Sequence, residues 1–180
     1  MKLTKVLALV FSLVMVFSFA ACGANTADEQ PTEAPTAAAT ETALPEIKHP
    51  EAGNVQFAKE FSIKVNGKEV TSADLKDAEL TKITVETINS KGNAGEATYT
   101  GYAVAEVLKV AGVADAKTVR AVCSDGYESD TYDLTKNPEY LVVAVEKDKE
   151  MSEDGSLWFA PCTETTTGKY CSMVVEIVAE

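Results

Sequence analysis

The sequence predicts an α+β domain: a mainly antiparallel or mixed β-sheet with one principal helix. Three observations carry this. Short runs of β-branched and aromatic residues recur between turn signals from Phe61 to the C-terminus. One segment alone, Tyr102 to Ala111, places Val104, Val107, Leu108 and Ala111 at i, i+3, i+4 and i+7, the spacing of a helix face. Tyr140 to Val145 is almost continuously apolar, as a strand covered on both sides must be.

Taken in order, Phe61-Ser62-Ile63-Lys64-Val65 alternates like a half-buried strand, Asn66-Gly67 signals a tight turn, and Lys68-Glu69-Val70 returns as a second strand. Thr71-Ser72-Ala73-Asp74 has capping-box spacing and predicts a short helix to about Ala78. Leu80 to Ile88 sets Ile83 and Val85 on one face of a strand, and Asn89 to Gly95 reads as a loop. Thr100-Gly101 then introduces the helix, with Gly112 in the place of a C-terminal cap. Thr118 to Cys123 is a strand, Asp125-Gly126 a turn, Tyr127 to Leu134 a strand of mixed polarity, and Tyr140 to Val145 the central strand. A charged loop, Asp148 to Ser156, precedes two last strands, Leu157 to Ala160 and Ser172 to Val178.

The N-terminus reads differently. Lys2 and Lys5 precede an apolar run from Val6 to Phe19, which is shorter than the ~20 residues of a membrane span and ends in Ala20-Ala21-Cys22. Residues 1–21 read as a signal peptide, and the cysteine after the small residues resembles a bacterial lipobox. That resemblance implies that Cys22 carries a diacylglycerol, with fatty chains of the palmitate kind, and becomes the N-terminus. Two acyl chains at about 0.8 kcal/mol per buried CH₂ hold a protein stably on a bilayer. The expected address is the cell membrane, lipid-anchored, on the extracytoplasmic face. Residues 22–55 are rich in Ala, Thr, Glu and Pro and predict a flexible linker; residues 56–180 are long enough for one small domain with one core.

The net charge is −12, and loss of Lys2 and Lys5 with the leader takes it to −14. Nucleic-acid binding needs a basic footprint, so that class is excluded. Apart from Cys22, three cysteines remain: Cys123, Cys162 and Cys171.

Three segments, Phe61 to Leu75 (FSIKVNGKEVTSADL), Tyr99 to Val113 (YTGYAVAEVLKVAGV) and Ala121 to Leu134 (AVCSDGYESDTYDL), followed by an apolar strand and LWFAP, together resemble the molybdopterin-binding oxidoreductase domain of the sulfite-oxidase type. The resemblance covers about Phe61 to Glu180 and implies that family's fold, a molybdopterin cofactor, and a thiolate on molybdenum just before the loop that leads to the main helix. Here that stretch is Val85-Glu86-Thr87-Ile88-Asn89-Ser90 and holds no cysteine; a threonine hydroxyl does not replace a soft thiolate. The cofactor's phosphate would also want cations, yet the chain has one arginine, Arg120, and one histidine, His49, which lies at the end of the linker.

Cys123 has two readings: a core cysteine sharing a strand face with Val119 and Ala121, or a thiol ligand reaching the site by another route. Asp125 and Tyr127 head a polar, aromatic cluster that is either the rim of a ligand site or plain turn chemistry. Arg120, Tyr102 and Trp158 complete the candidate binding set. Cys162 and Cys171 flank an eight-residue threonine-rich loop and suit a structural disulfide worth roughly 2 to 3 kcal/mol; their spacing matches neither a zinc pair nor a redox Cys-x-x-Cys. No catalytic residue and no metal site is assigned. The function expected is a membrane-anchored ligand-binding or accessory module, with an unidentified small ligand or envelope protein as partner; the alternative is a molybdopterin-dependent oxidoreductase using a non-standard ligand such as Cys123.

Overall fold

In the computed structural model, which describes residues 43–51, 55–152 and 156–180, ten strands join in one mixed sheet beside a single α-helix. The strands are β1 (Ile47–Lys48), β2 (Ser62–Val65), β3 (Lys68–Thr71), β4 (Leu80–Ile88), β5 (Ala94–Ala103), β6 (Thr118–Cys123), β7 (Tyr132–Asp133), β8 (Leu141–Lys147), β9 (Leu157–Pro161) and β10 (Cys171–Ala179); the helix, α1, is Val104–Ala111. The order runs β1-β4-β5-β8-β9-β10-β2-β3, with β6 also on β10 and β7 on β6. All pairings are antiparallel except β10 with β2. The α+β class with a mixed sheet and one principal helix is therefore present. The expected signal peptide, Cys22 and most of the expected linker lie outside the described residues.

The hairpin of β2 and β3 turns on Asn66 and Gly67, at φ +48° and +80°, the left-handed geometry that favours this dipeptide. Asn66 also clamps the end of β10: its Nδ2 donates to the Ala179 carbonyl and its Oδ1 accepts from the Ala179 N–H, each at 2.9 Å. Helix α1 ends as its sequence predicts. Gly112, at φ +83°, donates to Lys109, and Val113 donates to Leu108, closing a Schellman cap.

Two apolar clusters fill the two faces of the central strands. The larger holds Tyr102, Val104, Leu108, Val143, Leu157, Phe159 and Ile177, under α1 and the β2–β3 hairpin; the smaller holds Ile83, Val85, Tyr99, Val142, Ala144 and Cys162. Strand β8 feeds both, with Leu141, Val143 and Val145 on one side and Val142 and Ala144 on the other, which explains its unbroken apolar sequence.

Four expectations need correction. Thr71 to Ala78 forms turns, not a helix: Asp74 accepts the expected hydrogen bond from the Thr71 N–H at 2.9 Å, but Leu75 is drawn fully into the core and the segment does not wind further. Strand β5 was unforeseen, because its Ala, Gly and Thr residues lack the bulk of a typical strand; it takes Ala94 and Gly95 from the expected loop, and Tyr102 from the expected start of the helix. Between Tyr127 and Leu134 only Tyr132 and Asp133 form a strand, since β7 pairs with just the first two residues of β6. Ile47 and Lys48, inside the stretch assigned to the linker, pair with Ile83 and Lys82, because Ile47 finds apolar cover on the smaller cluster.

At Gly101 the backbone of β8 lies close against β5. The pairing slips between Thr100 and Gly101, and a Cβ on Gly101 would stand 2.1 Å from the Val143 carbonyl oxygen and 2.6 Å from the Ala144 Cα. Both are backbone atoms, so only glycine fits. Gly101→Ala is expected to lower unfolding stability by about 3 kcal/mol or more, whereas Gly112→Ala, which meets open space and strains only φ, costs about 1 to 2 kcal/mol. Urea unfolding of both variants checks the order.

Candidate functional site

Strand β6 buries Val119, Ala121 and Cys123 on one face and turns Thr118, Arg120 and Val122 to the other. Cys123 is 4 % exposed and belongs to the larger core cluster. The chain then reverses through Asp125-Gly126, where Gly126 takes φ +85° and Asp125 Oδ1 accepts from the Tyr127 N–H at 3.0 Å. Cys123, Asp125 and Tyr127 are thus close in space, but for reasons of turn geometry. Arg120 points away from Cys123 and pairs through Nε with Glu128 at 3.5 Å. Tyr102 is 5 % exposed in the larger cluster, against Phe57 and Phe61 at ring distances of 6.3 and 6.2 Å. Trp158 packs on the smaller cluster. The six residues expected around one ligand therefore fall into separate places.

In this structure Cys162 and Cys171, expected to bond, are not joined, and all three described cysteines are reduced. Strand alternation is the reason. Cys162 shares a face with Ala160 in the smaller cluster, while Cys171 sits opposite Phe159 across β9 and β10 and so enters the larger one. The sheet stands between the two sulfurs. Cys171 instead shares the larger cluster with Cys123, near enough for the two thiols to affect each other's ionisation. Burial pushes the thiols of Cys162 and Cys171 up to about 12 and raises that of Cys123, so none is a ready thiolate near neutral pH.

These facts bear on the cofactor that the sequence resemblance implies. A molybdenum ligand would have to be a thiolate at an open site, with cations nearby for the phosphate. The thiol nearest that requirement is in the core, the lone arginine lies on the far face of its strand, and His49 Nδ1 faces Glu79 at 3.4 Å. The residues present do not fit molybdopterin.

Open space lies elsewhere, over the smaller cluster. A cleft of about 290 Å³ is bounded by Glu96, Tyr99, Lys147, Asp148, Trp158 and Tyr170. A neighbouring depression of about 480 Å³ shares Glu96 and adds Glu86, Cys162 and Glu164. The loop after β9 forms one wall. It is tied to the end of β4 by the Ile88 N–H, which donates to the Thr165 carbonyl at 2.7 Å. Tyr170 stacks on Tyr99, ring centroids 5.1 Å apart and 12° from parallel, and its hydroxyl donates to the Glu164 carbonyl at 2.6 Å. On the other wall Asp148, at φ +56°, exchanges hydrogen bonds with Thr98 through its backbone and carboxylate. The arrangement offers aromatic surface, two carboxylates and an ammonium to a small polar molecule; it assembles no nucleophile with a partner base. Among the described residues no group of three or more His, Cys, Asp or Glu side chains is placed to hold a metal ion.

Of the residues around this cleft, sequence reasoning named Trp158, as part of a different site, and missed Glu96, Tyr99, Lys147, Asp148 and Tyr170, which come from β5, β8 and the segments after β8 and before β10 and carry no local signature. No protein-family model matches the chain, and no curated protein matches it either.

Burial raises the phenols of Tyr99, Tyr132 and Tyr170 above the ordinary value of 10 and the Cys162 and Cys171 thiols above 9. The folded protein holds these protons while the unfolded chain releases them. In the reduced protein the stability these groups contribute is then full below pH 9 and falls as pH climbs through 9 to 12. Melting temperatures measured across this range, with phenolate absorbance followed in parallel, are expected to show the three tyrosines ionising only on unfolding.

Proposed function

We propose that the protein is an extracytoplasmic lipoprotein, anchored to the cell membrane through acylated Cys22, whose domain is a non-catalytic binding or accessory module built on a sulfite-oxidase-type scaffold. The order of the leader, the small residues and Cys22 supports the anchor. The acidic composition speaks for a solute or an envelope protein as partner and against nucleic acid. The observation that carries the non-catalytic reading is the burial of Cys123: the thiol that would have to replace the missing molybdenum ligand is 4 % exposed and faces the core.

The binding surface in this reading is the cleft over the smaller cluster, where the partly exposed rings of Trp158 and Tyr170, the latter backed by buried Tyr99, supply aromatic surface beside Glu96, Asp148 and Lys147. Aromatic walls with a few polar groups between them suit a small polar organic molecule held by stacking and hydrogen bonds. At about 290 Å³ the cleft lies at the lower limit of ordinary ligand pockets.

Native mass spectrometry and elemental analysis of the full-length protein, extracted from its host membrane in detergent, test this. The expected result is an acylated N-terminus at Cys22, no stoichiometric molybdenum, and a small-molecule adduct or thermal-shift response that Trp158→Ala weakens at least tenfold. Stoichiometric molybdenum that disappears in Cys123→Ser would overturn the reading.

A further inference from the structure

Strand β10 is irregular in a way that has a chemical result. Its buried residues run Cys171, Val174, Ile177 and Ala179, so two of the intervals are three residues instead of two. A regular strand would turn Cys171 and Val174 to opposite faces. The first break lies between Cys171 and Val174, where Met173 takes φ +55°, and the second between Val174 and Glu176, where two residues of β10 face one step of β6. Both bulges return the strand to the core face. Val174 sits opposite Cys123 across β6 and β10, and the Ser124 N–H donates to the Met173 carbonyl at 2.9 Å, holding the end of β6 against the bulge. Cys123 and Cys171 thereby share one cluster, on neighbouring strands, while the third thiol lies beyond the sheet.

We infer that Cys123 and Cys171 are the protein's disulfide-forming pair, and that Cys162 stays a free thiol. In the native core both sulfurs are buried, so an external reagent reaches them poorly. The bond forms while the chain folds and the strands are still open. One cysteine, as thiolate, attacks a sulfur of an external disulfide, either a small molecule or an oxidoreductase; a mixed disulfide forms and one thiol of the oxidant leaves. The second cysteine loses its proton and attacks the first cysteine's sulfur, expelling the oxidant's other thiol. Two cysteine thiols are oxidised to one disulfide, and the oxidant's disulfide is reduced to two thiols that carry the protons. The closed loop spans about 49 residues and ties β6 to β10, around which the sheet is organised. The pairing does not depend on what the cleft binds.

The test refolds the full-length protein in detergent in a buffer of oxidised and reduced glutathione, followed by acid quench, alkylation under denaturing conditions and peptide mapping. The expected products are a Cys123–Cys171 linked peptide and an alkylated Cys162. The melting temperature of the oxidised protein falls by about 10 °C on reduction. Cys162→Ala keeps both the link and the shift, and Cys171→Ala loses both. A Cys162–Cys171 link, intermolecular cross-links in place of the internal one, or full alkylation of Cys123 and Cys171 would overturn the inference. Because Cys162→Ala reports on the pair without touching it, a folding defect in Cys171→Ala does not leave the question open.

Discussion

The close approach of β5 to β8 at Gly101 sets the rest of the molecule. Backbone atoms occupy the space where any side chain would begin. Tyr99 and Tyr102, three residues apart on one strand, point to opposite faces and so enter opposite clusters: Tyr99 the smaller one and Tyr102 the larger. The slip falls on β8, where Val145 has no partner on β5 between Ala144 and Glu146, so the extra residue is absorbed at the end of the run that fills the two cores. Helix α1 begins directly after β5, so its docking angle is inherited from the same contact.

Strand β10 plays the corresponding part at the other end. It pairs with β9 and β2 along one edge and β6 along the other, and its two bulges decide which side chains enter the core. Bulges of this kind re-aim side chains at a modest local cost. Here they bring two sulfurs together that sequence spacing would separate, and keep apart two that it would join.

Much of this was legible from residue order. The Asn66-Gly67 turn, the Gly112 cap, the face shared by Val119, Ala121 and Cys123, and the double burial of β8 follow from local rules that little in the tertiary structure opposes. Strand β5 was hidden because its weak side chains are compensated by neighbours on both edges, a gain that no local window contains. The Thr71 capping hydrogen bond was legible, but not the pull of the core on Leu75, which overrides it. Candidate site residues fared worse. Arg120 and Cys123 are three apart in sequence and lie on opposite faces, a consequence of strand parity; Glu96, Asp148 and Tyr170 meet only through the sheet and a loop. The cysteine pairing failed because a loop of eight residues invites a bond only if its ends share a face.

The two-residue strand β1 has a mechanical meaning. Any traction arriving from the N-terminal side meets Ile47 and Lys48 before it meets β2, and they are held by a two-residue pairing with β4, by Ile47 on the smaller cluster and by His49 beside Leu80 and Glu79. So small an attachment peels away under weak load and re-zips when the load is gone, as low-stability edges do. Under load such an attachment would yield first, lengthening the chain by about 3 Å per freed residue before the longer strands are pulled.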